Sequence, residues 1–170
     1  FFAVRVESTL DVSAARVAAQ AILDRHAALR ATFYWRDAQL LQRIPGAASI
    51  AFQHIHAPGY TDAPLQAAVA RAALEPFDLV NGPLFRVICV TRAANDHALV
   101  LMGHHIVLDG ASLFRLVAEF RTLYAEATGG PPSALEVLDE DAFAFANWQH
   151  DHLASVGGAE LERYWRNALA

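Results

Sequence analysis

The sequence predicts an α/β protein, an α+β two-layer sandwich in which a mixed β-sheet carries helices packed on one face. Three observations lead there. Short strand-like runs and amphipathic stretches follow one another in the order β, α, βββ, α, ββ, ααα. Hydrophobic residues fill 55% of the 170 positions and charged ones only 18%, enough for a single well-packed domain and too apolar for a disordered chain. The run HALVLMG is apolar on both of its alternating faces, as expected of a strand in the middle of a sheet.

The first strand, FFAVRVES, sets Phe2, Val4 and Val6 against Arg5 and Glu7 and lacks the layout of a signal peptide. It starts in mid-strand, which reads as an excised piece. Residues 13–29 place Ala14, Val17, Ala18, Ala21, Ile22, Ala28 and Leu29 at helical spacing, with Asp11 or Ser13 as the cap. Arg25 interrupts that stripe. A straight helix aims it inward, where a guanidinium needs an acidic partner, or snorkels it to the edge.

Three short strands follow, ATFYWR, QLLQRI and SIAFQHI, the first two joined through Asp37 and Ala38 as a hairpin. Thr61 or Asp62 caps a helix over APLQAAVARAALE, which Pro76 ends. LFRVICVTR and HALVLMGHH form a second hairpin around Ala94, Asn95 and Asp96. Residues 110–127 show the strongest helical pattern, with Leu113, Leu116, Val117, Phe120, Leu123 and Tyr124 on one face and Arg115, Glu119, Thr122 and Glu126 on the other. TGGPP stops it. Helices near 139–153 and 158–168 complete the chain, and no second domain is expected.

Composition removes several chemistries. All thirteen basic residues are arginine, so no lysine is present for a Schiff base or a phosphate-binding loop. A net charge of −5 with scattered arginines offers no basic stripe for nucleic acid and no polybasic patch for a membrane. The one cysteine, Cys89, sits in an apolar strand, which excludes an internal disulfide and suits a reducing, cytoplasmic setting.

The chemistry concentrates in GHHIVLDG, residues 103–110. In extended backbone His104 and His105 point to opposite faces, His105 sharing a row with Leu99, Leu101 and Gly103. Gly103 then leaves open space beside His105. A neutral imidazole there can accept a proton near pH 7, or it is a hydrogen-bonded core histidine. Asp109 precedes the best helix and reads as its N-cap. An ion pair from Arg25 to Asp109 would satisfy both groups and fix the loop that presents His105. Adjacent strand residues diverge, so His104, His105 and Asp109 chelate a metal poorly, and no metal site is expected. His54 and His56 share a strand face but have no third ligand nearby.

HHIVLDG fits the His-His-x-x-x-Asp-Gly motif of condensation domains from nonribosomal peptide synthetases, relatives of chloramphenicol acetyltransferase. RHAALRATF at 25–33, PFDLVNGPLFR at 76–86, FANWQ and YWRNAL resemble further family segments in the family's order. Ala27 and Ala31 depart from a usual Glu and Thr, and AFAFANW lacks the Tyr and Asp common there. The chain resembles only the first of two lobes, and the family's substrate channel runs between the lobes.

The resemblance implies that His105 is the active-site residue within His104, His105, Asp109 and Gly110. It also implies that Asp109 pairs with an arginine, Arg25 or alternatively Arg30, and that Gly110 shapes the site. The implied reaction joins donor and acceptor thioesters, each held by 4'-phosphopantetheine on a carrier protein, into an amide, with no cofactor bound by this chain itself. Upstream and downstream carrier proteins and the missing C-terminal lobe are the expected partners. Rival readings are an epimerisation domain, although Leu113 follows Ser112 where that group commonly has Trp, an acyltransferase using CoA thioesters, and a non-catalytic docking module.

Overall fold

In the computed structural model, which describes residues 1–138 and 142–170, the elements run β1 (Phe2–Val6), α1 (Val12–Arg25), a 3-10 turn (Ala27–Arg30), β2 (Thr32–Arg36), β3 (Gln39–Arg43) and β4 (Ala51–His56). There follow α2 (Asp62–Leu74), β5 (Phe85–Ala93), β6 (Asp96–Gly103), α3 (Gly110–Ala127), α4 (Ala142–Leu153) and α5 (Val156–Ala168). Positions 139–141, the start of one expected helix, lie outside the described residues. By contacts the chain divides into two compact units, Phe1–Glu136 and Val137–Ala170.

The first unit is built on a four-stranded mixed sheet in the order β1-β6-β5-β4. β5 and β6 pair antiparallel across the Ala94–Asn95 turn, and β1 pairs antiparallel with β6. β4 runs parallel to β5, which a tight turn cannot achieve; the connection through α2 supplies the crossover. β2 and β3 form a separate two-stranded hairpin. Its turn puts both Asp37 (φ 49) and Ala38 (φ 61) in the left-handed region, the backbone that matches the twist of two adjoining strands.

Helix α1 is capped by Asp11, whose carboxylate accepts from the amides of Ser13 at 2.8 Å and Ala14 at 3.0 Å. It ends earlier than the expected residue 29, because His26 leaves helical backbone and only the 3-10 turn continues. Its buried stripe is Ala14, Ala15, Ala18, Ala19, Ile22 and Leu23, so Val17 faces outward with 59% exposure. Small alanines let α1 approach α3, and these helices pack with Phe85, Val87, Cys89, Leu99 and Leu101 into one core.

The opposite side of the sheet carries a second core. Ile88, Val90, Ala98, Val100 and Met102 pack there against Leu65, Val69 and Phe77, from α2 and the segment after it. Helices on one face therefore describes α1 and α3, while α2 covers the other face of the same sheet. The two-sided apolar pattern of β6 has this cause, since residues on alternate faces each meet a helix. Burial pushes the Cys89 thiol up, against an opposing hydrogen bond with Thr91, and keeps it a core residue.

Candidate active site

The strand carrying the paired histidines stops at Gly103, so His104 and His105 belong to a turn and not to extended backbone. The His104 amide still donates to the Leu84 carbonyl at 2.9 Å, and the Val107 amide closes the turn by donating to the His104 carbonyl at 3.0 Å. His104 Nδ1 accepts from the Ile106 amide at 3.1 Å, which places the ring proton on Nε2. The same ring meets Phe77 edge-on, with centroids 6.1 Å apart. His104 thus shapes the turn.

His105 is exposed, and its ring takes part in no hydrogen bond among the described residues. The open space expected beside it at Gly103 is filled. A Cβ on Gly103 would lie 2.5 Å from Leu108 Cδ2 and 3.3 Å from Leu108 Cβ. Glycine is needed so that Leu108, itself buried, can fold back onto the end of the strand. His105 lies exposed in the turn between Gly103 and Leu108.

Asp109 caps α3, accepting from the Ser112 amide at 2.8 Å in extended backbone (φ −97, ψ 178). Its carboxyl is held below the usual carboxylate range, first by the Ser112 amide, then by the Ser112 side chain, with the neighbouring His105 charge adding to both. Asp109 is therefore anionic at neutral pH and electrostatically coupled to His105. Gly110 is exposed, and a Cβ there would meet nothing within 4 Å.

The expected pair between Arg25 and Asp109 does not form. Arg25 is inward, as its helical phase required, but its Nε donates to Glu119 Oε2 at 3.2 Å and its Nη2 donates to the Glu136 carbonyl. The reason is distance along α3: Glu119 lies ten residues beyond Asp109, about 15 Å at helical rise, and α1 reaches α3 at the later turn. The alternative, Arg30, is also committed elsewhere, donating to the carbonyls of Leu23 at 2.7 Å, Asp24 at 2.6 Å and Pro45 at 3.1 Å.

Glu119, expected on the outer face of α3, is only 5% exposed. Besides Arg25 it meets His26 Nε2 at 2.6 Å and accepts from Arg115 Nε at 3.3 Å. Burial alone would raise its carboxyl. The hydrogen bond and charge of His26, followed by Arg115 and Arg25, outweigh burial and hold it below the usual range. The signal for this cluster was the inward Arg25, which demanded an acid; which turn of α3 supplied it depended on tertiary packing.

His54 Nε2 lies 2.9 Å from Thr91 Oγ1, and Thr91 Oγ1 lies 3.0 Å from His97 Nδ1. These contacts tie β4, β5 and β6 together at one end of the sheet. Among the described residues no group of three His, Cys, Asp or Glu is arranged to hold a metal ion. No helix among them is long and apolar enough to cross a membrane.

What the geometry offers is one exposed imidazole with free nitrogens, on a short turn braced by His104, Leu108 and a capped helix. It can take or give a proton, or donate a hydrogen bond to developing negative charge.

Comparison with known proteins bears on the family and the fold. A family model described as Condensation domain matches residues 2–170. A linear gramicidin synthase of Brevibacillus parabrevis is 34% identical over 169 residues, covering 97% of this chain and 3% of that protein. The starter condensation domain of rhizomide synthetase superposes with a TM-score of 0.85 at 22% identity, covering 98% of this chain and 42% of that one. The X-domain in its complex with OxyB from teicoplanin biosynthesis gives a TM-score of 0.85 at 27% identity, covering 99% and 37%. The chain spans a small fraction of its curated relatives and about two fifths of the solved chains it resembles. On the breadth of that family match, this chain belongs to the condensation-domain family.

Proposed function

We propose that this chain is the histidine-bearing lobe of a condensation domain in a nonribosomal peptide synthetase, and that His105 serves amide-bond formation. The carrying observation is the exposed His105 ring, without a hydrogen bond among the described residues and set beside the anionic Asp109. The substrates on this reading are two thioesters, each tethered through 4'-phosphopantetheine to a carrier protein. The acceptor amine attacks the donor carbonyl, the carbon–sulfur bond breaks, the donor leaves its thiol behind, and the amine gives up one proton.

His105 Nε2 or Nδ1 would receive that proton or hydrogen-bond the tetrahedral species as it forms. Asp109 stabilises the imidazolium electrostatically, and His104 holds the turn. Gly110, with open space where a Cβ would stand, leaves room for a substrate arm to pass. Tethering contributes by holding amine and carbonyl together. A second lobe of the same domain closes the site on this reading, because His105 on this lobe alone faces solvent, where such electrostatic effects are weak.

The test is His105→Ala in the full-length protein. Amide formation should fall by about 10²-fold or more with the melting temperature and carrier-protein affinity unchanged. Unaltered product formation would remove His105 from the chemistry.

A second reading has one observation behind it, the likeness to an X-domain found in complex with OxyB. On that reading the fold recruits a partner enzyme and the motif survives as packing. Intact peptide synthesis in the His105→Ala protein, joined to loss of a bound tailoring enzyme on surface mutation, would favour it.

A further inference from the structure

Phe77 and Arg86 stand near opposite ends of the stretch PFDLVNGPLFR and meet in the fold, the Arg86 guanidinium lying over the Phe77 ring at 3.9 Å from its centroid. Arg86 Nη2 donates to the carbonyls of Glu75 at 2.8 Å and Pro76 at 3.2 Å, and Nη1 donates to Glu75 Oε2 at 3.2 Å. A planar fork reaches two successive carbonyls and a carboxylate while covering a ring, which the single ammonium of lysine does not. Phe77 is thereby pinned against the face of the sheet formed by Ile88, Val100 and Met102.

This pin reaches the histidine turn. The His104 amide donates to the Leu84 carbonyl one place beyond the Phe85–Gly103 pair, which sets His104 on the row of Val100 and Met102. Phe77 packs against that row and meets the His104 ring edge-on. His104 Nδ1 in turn accepts from the Ile106 amide, a bond from one residue to the second after it that encloses the backbone of His105, as an Asx turn does. The place of the His104 ring therefore sets the φ and ψ from which the His105 side chain departs.

We propose that Phe77 and Arg86 are positioning residues for His105, acting through the His104 ring. Arg86 holds Phe77, Phe77 holds His104, and His104 holds the backbone of His105. The inference rests on the reading of His105 as the group that serves amide formation. It assigns to Phe77 and Arg86 an effect on the rate of the chemical step and none on the binding of substrates.

The experiment is steady-state amide formation by the full-length protein, with the acceptor carrier protein supplied in solution. Phe77→Leu, which fills much of the same volume without a ring, should lower kcat about tenfold with KM for the acceptor carrier unchanged, a fraction of the loss that a misplaced group can cause. Arg86→Gln gives the same readout should Phe77→Leu fail to fold. In a His104→Ala background, where the ring that transmits the effect is gone, neither change should lower kcat further. Val69→Ala, in the same core but outside this chain of contacts, measures a purely structural loss and should lower the melting temperature with kcat retained. A native kcat in Phe77→Leu and Arg86→Gln overturns the inference. So does a loss that persists undiminished in the His104→Ala background, a loss confined to KM, or an equal loss of kcat in Val69→Ala. His105→Ala, run alongside, separates the two claims: full activity there overturns the reading of His105 and this inference with it, whereas a slow His105→Ala beside a native Phe77→Leu overturns the inference alone.

Discussion

Gly103 makes room for Leu108 three residues after His105. Any side chain at 103 must displace Leu108, which lies between the end of β6 and the cap of α3. We predict that Gly103→Ala destabilises by about 1–2 kcal/mol, the usual cost of overpacking, and lowers activity further because the His105 turn moves with Leu108. Gly110→Ala should leave stability nearly unchanged, since its Cβ meets nothing, while still affecting turnover in the full-length protein if a substrate arm passes there. Urea melts of the two variants separate steric need from functional need. Asp109 adds a pH signature. Its folded pKa is depressed, so its contribution is present above the ordinary carboxyl range and lost as pH falls through the folded value. The stability gap between the native protein and Asp109→Ala should therefore be wide at pH 7 and narrow steadily toward pH 3; a constant gap would mean that the cap does not titrate.

Where α1 crosses α3, the buried carboxylate of Glu119 gathers Arg25, His26 and Arg115 onto one point. Removing it leaves the largely buried Arg25 without a carboxylate, and Glu119→Ala is expected to cost about 3 kcal/mol. A double-mutant cycle between Arg25 and Glu119 should give a coupling of about 1 kcal/mol or more, and the cycle between Arg25 and Asp109 none. Coupling to Asp109 instead would restore the pairing that the family resemblance implies. The β2–β3 hairpin offers the opposite kind of change. Ala38 holds a left-handed backbone at φ 61, which costs an L-residue about 1 kcal/mol, so Ala38→Gly should raise stability by roughly that amount. A fall in the melting temperature would mean that the chain flexibility glycine adds to the unfolded state outweighs the relieved strain.

Across the molecule, what was legible in the sequence was whatever local chemistry decides. The α3 pattern from 110 to 127, the Asp11 cap, the 37–38 turn and the β5–β6 hairpin depend on neighbours a few residues apart, and all are present. His104 and His105 are the opposite case, read from the sequence as the end of an extended strand and found in a turn after Gly103. What depended on tertiary packing was not legible. The stripe of α1 is rotated so that Val17 is exposed, Glu119 is buried, and α2, in the crossover between the parallel strands β4 and β5, covers the far side of the sheet. Gly103 looked like a gap because the sequence could not say that Leu108 returns to it.

These differences share a consequence for function. They move Arg25 away from Asp109 and leave the Asp109–His105 corner of this chain open to solvent, without an arginine on Asp109 among the described residues. On the proposed function a second lobe covers that corner, so residues 1–170 alone should turn over weakly or not at all, and rapid synthesis by the isolated chain would contradict the proposal.

The most direct test of a catalytic His105 is the single-turnover rate of amide formation in the full-length protein, with both carrier proteins loaded, compared between His105 and His105→Ala. The expected result is a loss of about 10²-fold or more with folding and carrier affinity retained. An unchanged rate in a folded His105→Ala protein would contradict it.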